Sequence, residues 1–172
     1  MACTLTNIQL DCDLSGVGGI YKFYVAEADE ITYATAPASG AVGLTSIELD
    51  GTAVTDLATD FQEFSGLRGT SQLNETLSMG DRGSTIYTQV LSGGFSKITK
   101  EKQEALRVLA SKAKLCVIAL DYNNQYFLVG NEHGAYLSAA NNASGLNAGD
   151  QNGLQIEITG VSGNPMLEVT TA

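Results

Sequence analysis

The sequence predicts a mainly β protein, a β-sandwich or half-open barrel with one packed α-helix at about residues 98–113. Three observations support this fold class. Only 16% of the 172 residues are charged, glycine occurs 19 times and proline twice, and short apolar runs alternate with turn residues. This composition is typical of many short strands joined by turns. A chain of this length can bury a core without disulfides, so we expect a single domain over residues 1–172.

Each predicted strand is an apolar or alternating run that ends at turn residues. In the second strand Phe23 and Val25 share one face, and Asp50-Gly51 is a typical hairpin turn. Small and polar residues dominate 34–46 and 138–153, which are predicted to be loops. The predicted strands lie at residues 4–10, 21–25, 47–50, 115–120, 126–129, 154–159 and 167–169.

Residues 98–113 carry the helical pattern. Apolar residues recur there at helical spacing with Lys and Glu on the opposite side, and Ser96 or Thr99 is in position to cap the start. We expect one face of this helix to pack on the sheet. The predicted buried residues of the helix and strands are Phe23, Val25, Ile86, Leu106, Leu109, Val117, Ile118, Phe127, Ile156 and Ile158.

Residues 71–91 form a predicted hairpin with unusually polar strands. In the first strand Leu73 and Leu77 lie on one face with Glu75 between them, and the other face is polar. A hairpin with one polar face cannot be a fully buried element, and an isolated hairpin is marginally stable in water. We therefore expect its polar face to lie against solvent or a neighbouring subunit, and we predict that the hairpin is the main assembly element. The candidate assembly interface comprises Leu73, Glu75, Leu77, Asp81, Arg82, Ile86, Thr88 and Val90.

The net charge of −10 argues against a protein that grips nucleic acid, because phosphate binding requires a basic surface. The basic residues are also unevenly placed. Six of the nine lie in residues 97–114, where two acidic residues oppose them, so this segment is +4 and the rest of the chain is −14. The asymmetry fits either of two interpretations: a device that orients subunits against each other, or one solvated helix face.

The sequence contains no recognisable catalytic or metal-binding constellation. His133 is its one histidine, so a pair of histidine metal ligands is excluded and a histidine-based triad would have to use this residue. It lies in a predicted surface turn. Residues 150–153 lack the further carboxylates of a calcium loop, and the glycines at 16–19 lack a following helix and a P-loop lysine. We expect no catalytic, cofactor-binding or metal-binding residues and no enzymatic activity.

The cysteines Cys3, Cys12 and Cys116 are odd in number and have no C-x-x-C spacing. They do not indicate a disulfide framework, and Cys116 is predicted to be a buried free thiol. No signal-like leader or membrane-spanning apolar run is apparent. We expect a soluble protein made in the cytoplasm.

The second half of the chain resembles bacteriophage tail tube proteins and the related tubes of contractile injection systems. The matching features are the polar hairpin at 71–91, the amphipathic helix at 98–113 and the hairpin at 115–130. The fourth is a stretch at 144–160 that passes from a Gly- and Asp-containing loop into a late core strand. The resemblance covers roughly the last 100 residues and concerns the order of the elements.

This resemblance implies a virion structural protein: a self-assembling tail tube subunit whose stacked hexameric rings enclose a channel for DNA. The hairpin at 71–91 would join neighbours into the inner wall, and acidic residues would face the lumen. The implied partners are further copies of the chain and other virion tail proteins, with DNA only passing through and no membrane. The implied location is the virion tail, assembled in the host cytoplasm.

Two other functions fit the sequence. One is another head–tail joining or minor virion structural protein. The other is a ligand- or carbohydrate-binding β-sandwich module, but the chain contains no tryptophan, and sugar sites often use aromatic platforms.

Overall fold

The computed structural model describes residues 17–37, 40–80, 83–146 and 152–170. Over these residues the chain is mainly β with one substantial helix, which confirms the predicted class. The predicted strand at 4–10 lies outside the described residues. The elements are β1 Ile20–Glu27, β2 Ile31–Tyr33, β3 Ala41–Gly43, β4 Ile47–Leu49, β5 Thr52–Ala53, α1 Leu57–Asp60, β6 Gln62–Phe64, β7 Gln72–Met79, β8 Thr85–Ser96, α2 Lys100–Ser111, β9 Leu115–Asp121, β10 Tyr126–Val129, β11 Ala135–Ala143, β12 Gly153–Ser162 and β13 Leu167–Thr170.

The strands form two joined layers and a small separate sheet. The first layer, which we call the central sheet, has the order β3-β13-β10-β9-β1-β6. The second layer, which we call the hairpin sheet, has the order β11-β12-β8-β7 and is antiparallel throughout. A single pair, Ala135 with Leu115, connects β11 to β9. The small sheet has the order β2-β4-β5.

The corner between the two layers lies between β10 and β11. Both strands pair with β9, and a 3₁₀ turn at Asn131–His133 separates them. Gly130 and Gly134 flank this turn with φ of 89° and 70°, a left-handed conformation that glycine adopts without steric cost. Tyr33 Oη also donates a hydrogen bond to Asn131 Oδ1, which ties the small sheet to the corner.

Both faces of β9 are buried, as its uninterrupted apolar sequence requires. Leu115, Val117 and Ala119 join the first core cluster, which lies between the central sheet, the hairpin sheet and α2. Cys116, Ile118 and Leu120 join the second cluster, which lies beneath the small sheet and α1. β9 therefore contributes alternate side chains to both cores.

Most of the predicted buried set is confirmed, including Phe23, Val25, Leu109, Val117, Ile118, Ile156 and Ile158. Leu106 and Phe127 are half-buried. The prediction for Ile86 is wrong, because this side chain is 38% exposed. Ile86 pairs with Ser78 beyond the last residue of β12 that contacts β8, so no third strand supports it there.

The helix α2 is shorter than predicted at both ends, and Thr99 is its cap, with its side chain accepting a hydrogen bond from Lys102 N. The two predicted loops are partly wrong. β3 lies within 34–46, and β11 extends over residues 138–143 of the second predicted loop. Most of β11 carries small or polar exposed side chains, so its backbone pairing with β12 has no apolar alternation to reveal it.

Candidate assembly interface

The predicted polar hairpin is present as β7 and β8. Their pairing runs from Gln72 with Ser92 to Met79 with Thr85, so the two strands agree with the predicted runs while β8 continues to Ser96. β8 lies between β7 and β12, whereas β7 pairs with β8 alone among the described strands. β7 is therefore the edge of the hairpin sheet.

The predicted interface residues lie on two opposite faces of this hairpin. Leu73, Glu75 and Leu77 share the inner face, where their cross-strand partners are Leu91, Gln89 and Tyr87. Ile86, Thr88 and Val90 lie on the outer face, since directly paired residues point to the same side. Asp81 and Arg82 lie outside the described residues. The hairpin does not bring the candidate set together as one surface.

The inner face holds a buried polar group, Gln89, which is fully buried. Its Oε1 accepts a hydrogen bond from Gly130 N at 2.7 Å, and its Nε2 donates to Glu75 Oε2 at 2.9 Å. The same Glu75 oxygen accepts from Met166 N at 2.7 Å. Glu75 is predicted from the sequence to be an interface residue, and Gln89 is not among the predicted interface residues. The structure uses both within the chain, which satisfies polar atoms that would be costly to bury alone.

The distal end of the hairpin extends beyond its support. The last pair between β12 and β8 is Ser162 with Tyr87, and the pairs Ser78–Ile86 and Met79–Thr85 continue past it. Leu77 is 54% exposed and Met79 75% exposed. This two-stranded end presents apolar side chains that nothing in the described chain covers.

The outer face of the hairpin sheet is polar and nearly uncharged. Its single ionisable carboxylate among the described residues is Glu157, and no Lys or Arg lies on it. The described side chains on this face, placed by the strand register, are Gln72, Asn74, Thr76, Ser78, Ile86, Thr88, Val90, Ser92, Tyr136, Ala139, Asn141, Gln155, Glu157, Thr159 and Val161.

The hairpin sheet ends in two unpaired edges. One is β7, and the other is β11, whose second side pairs with β9 only at Ala135. Residues 136–143 have no strand partner on that side within the described chain, although α2 contacts β11. The four strands alternate in direction, so β7 and β11 run opposite ways. Unpaired edges of eight or nine residues leave rows of backbone donors and acceptors free to pair with another chain.

Several basic residues of 97–114 have partners within the chain. Lys112 forms an ion pair with Glu27, and Arg107 contacts Glu104 at 2.6 Å. By contrast, residues 28–61 contain six acidic residues and no Lys or Arg. At the margin of this acidic region Lys22 binds Glu63 at 3.0 Å. Hydrogen bonds to Tyr24 and Glu63 raise the pKa of Lys22, and Lys22 holds the pKa of Glu63 below its usual value.

The described residues offer little for chemistry. His133 is exposed on the 3₁₀ turn at the corner, as its sequence position predicts. Cys116 is a free thiol, and its burial raises its pKa to about 12, so almost none is thiolate at neutral pH. Within the described ranges no three His, Cys, Asp or Glu residues are grouped to hold a metal ion. None of the helices described is long and apolar enough to cross a membrane.

Comparison with known proteins gave one structural similarity of note. No protein-family model matches the sequence, and no curated protein matches it. Among solved structures, the chain is similar to one from the "Virion of native gene transfer agent (GTA) particle". The two share 11% sequence identity with a TM-score of 0.43, and the similarity covers 67% of this chain and 92% of the other.

Proposed function

We propose that this protein is a structural virion protein, a self-assembling tail tube subunit that forms stacked hexameric rings around a channel for DNA. The observation that carries the proposal is the pair of free edges on the hairpin sheet. Because its four strands alternate in direction, β7 of one copy placed beside β11 of the next continues the antiparallel order without interruption. A ring that closes in this way leaves the hairpin sheet with no free edge.

The faces of the hairpin sheet support the same arrangement. The inner face of the hairpin sheet packs on the first core cluster. In the proposed ring the other face of this sheet, which we call the outer face, would line the channel. The central sheet would then lie on the side of the wall away from the channel. Six copies would supply about 24 strands, and at about 4.8 Å between strands the wall would be at least about 37 Å across. Such a channel admits a DNA duplex.

The chemistry of the outer face suits passage of DNA rather than binding. Proteins that hold DNA neutralise phosphates with Lys and Arg, and the described outer face carries neither. Glu157 would place one carboxylate per copy in the channel. The resemblance to tail tube proteins implied acidic residues facing the lumen without naming one, and Glu157 is our candidate.

The proposal is tested on the free edge. A proline at Thr88 would not test the edge, because Thr88 lies on β8 between two partner strands and the substitution would disrupt the subunit itself. We choose Thr76→Lys, an exposed position on β7, because lysine on an edge strand opposes pairing with another chain. Ala58→Lys on α1 is exposed and adds the same charge, so it is the matched control.

The readouts are negative-stain images and mass in solution. We expect wild type and Ala58→Lys to form rings or tubes and Thr76→Lys to remain monomeric with an unchanged circular dichroism spectrum. Assembly of Thr76→Lys like wild type would contradict edge pairing. A wild type that forms single rings without stacking would favour a head–tail joining protein, and a strict monomer at high concentration would overturn the proposal.

A further inference from the structure

We propose that Glu75 and Gln89 are positioning residues that hold the edge strand β7 in one place so that a neighbouring copy can pair with it. This inference rests on the proposed function above and adds a device inside the subunit. Neither side chain would need to touch the neighbour. They would act through β7, whose free edge makes the contact.

Gln89 fixes the position of β8 against the corner of the fold. It is fully buried in a core that is otherwise largely apolar, and its amide uses both ends, one on Gly130 N and one on Glu75. An apolar side chain of similar size would fill the same space and allow the sheet to slide. Hydrogen bonds require a defined distance and angle, so the amide selects one arrangement of the two layers.

Glu75 connects three separate segments at one oxygen. It belongs to β7, it accepts from Gln89 on β8, and it accepts from Met166 N in the connection between β12 and β13. Most other side chains of β7 are exposed. Apart from Leu73, which packs against the first core cluster, Glu75 is therefore the main side-chain attachment of this strand to the body of the subunit.

The attachment matters because the hairpin extends beyond β12. A two-stranded ribbon twists and bends more than a sheet of three or more strands, and fixing its position during assembly costs conformational entropy. A strand that is already held in place avoids part of that cost, which is the general advantage of a preorganised interface. Loss of the Glu75 contacts would loosen β7 without removing any residue from its free edge.

Three variants separate positioning from general stability. Glu75→Leu removes the acceptor that Gln89 and Met166 share, whereas Glu75→Gln keeps an acceptor oxygen at the same place. Leu57→Ala removes buried volume in the second core cluster, on the far side of the central sheet. It is the control for a loss of stability that does not involve the hairpin. Glu75→Leu and Leu57→Ala are compared at the temperature where both have lost the same fraction of their stability.

We measure the protein concentration at half-assembly and the exchange of the Met166 and β7 backbone amides. We expect Glu75→Leu to raise that concentration about tenfold, the factor that follows from losing a hydrogen bond to a charged group, and to accelerate exchange of these amides. Glu75→Gln should stay within about twofold of wild type, and Leu57→Ala should change neither readout beyond its general effect.

The outcomes separate this inference from the proposed function. If wild type assembles but Glu75→Leu behaves like Leu57→Ala in both readouts, the positioning role is overturned and the proposed function stands. If wild type does not assemble, the proposed function is overturned and the positioning role falls with it.

Discussion

Gly160 on β12 lies so close to Gly130 at the corner that a Cβ added to Gly160 would stand 2.5 Å from the Gly130 Cα. The contact is between two backbones, so no side chain can move aside to relieve it. It lies where the chain passes from the central sheet to the hairpin sheet, next to the amide that donates to Gln89. The separation of the two layers at this point depends on the absence of side chains.

This contact predicts a large effect of one methyl group. We expect Gly160→Ala to lower the free energy of unfolding by about 2 kcal/mol or more, because overpacking a close contact forces the backbone to shift. For a chain of this size that corresponds to a loss of about 4–8 °C in Tm. Gly163→Ala is the control, since a Cβ at Gly163 meets nothing within 4 Å. Equal melting temperatures for the two variants would refute the close packing.

Two adjacent residues on α2 test how the helix packs. Leu109 is buried in the first core cluster, and Val108 is 44% exposed. We expect Leu109→Asp to destabilise the fold by more than about 3 kcal/mol, because it buries an unpaired charge against the sheet. Val108→Asp should change stability by less than about 0.5 kcal/mol, as surface substitutions usually do. Urea unfolding followed by circular dichroism measures the stability of both variants. Similar unfolding midpoints for the two would contradict the packing of the Leu109 side of α2 on the sheet.

The parts of the fold that could be predicted are those with strong side-chain patterns. β9 was predictable from its continuous apolar run and β12 from the alternation of Leu154, Ile156 and Ile158. α2 was predictable from apolar residues at helical spacing and the Thr99 cap. In each case the side chains themselves carry the burial that stabilises the element.

β11 and the interior role of Glu75 could not be predicted in this way. β11 is held by backbone pairing with β12, and small exposed residues leave no trace of that pairing in the sequence. Glu75 and Gln89 share a strand face with apolar residues such as Leu73 and Leu91. Their hydrogen bonds in the interior depend on Met166 and Gly130, which are distant in sequence. The available signal for this interior role was that two polar residues, Glu75 and Gln89, lie directly opposite each other in the predicted hairpin.

The ion pair between Lys22 and Glu63 predicts a pH dependence of stability. Because the pKa of Glu63 is lower in the folded chain than in the unfolded one, its contribution is present above its unfolded pKa of about 4.3 and is lost as pH falls through the folded value. Glu63 is about half exposed, so we expect less than about 1 kcal/mol.

Thermal unfolding between neutral and acidic pH measures this contribution. Wild type should lose slightly more stability on acidification than Glu63→Gln, and Lys22→Gln should show the same reduced loss because it removes the partner. Parallel pH curves for all three proteins would mean that the pair does not stabilise the fold.

The uneven distribution of charge predicts a salt dependence of assembly. All charged side chains of residues 28–61 are acidic, whereas residues 97–114 carry a net charge of +4. Within the second segment, Lys112 and Arg107 already have partners in the same chain. Raising the salt concentration from about 0.05 M to about 0.5 M should therefore weaken assembly modestly, as exposed charges on neighbouring copies are screened. Light scattering across this range measures the effect, and assembly that is independent of salt would assign the contacts to the backbone edges and apolar groups alone.

Pairing between β7 of one copy and β11 of the next is tested most directly by backbone amide exchange, measured on the monomer and on the assembled protein. We predict that amides within Gln72–Met79 and residues 136–143 that exchange freely in the monomer become protected on assembly. Amides of β5 in the small sheet, and of the short helix α1, should exchange at the same rate in both states. Protection of β5 or α1 with no change at either edge of the hairpin sheet would contradict the account.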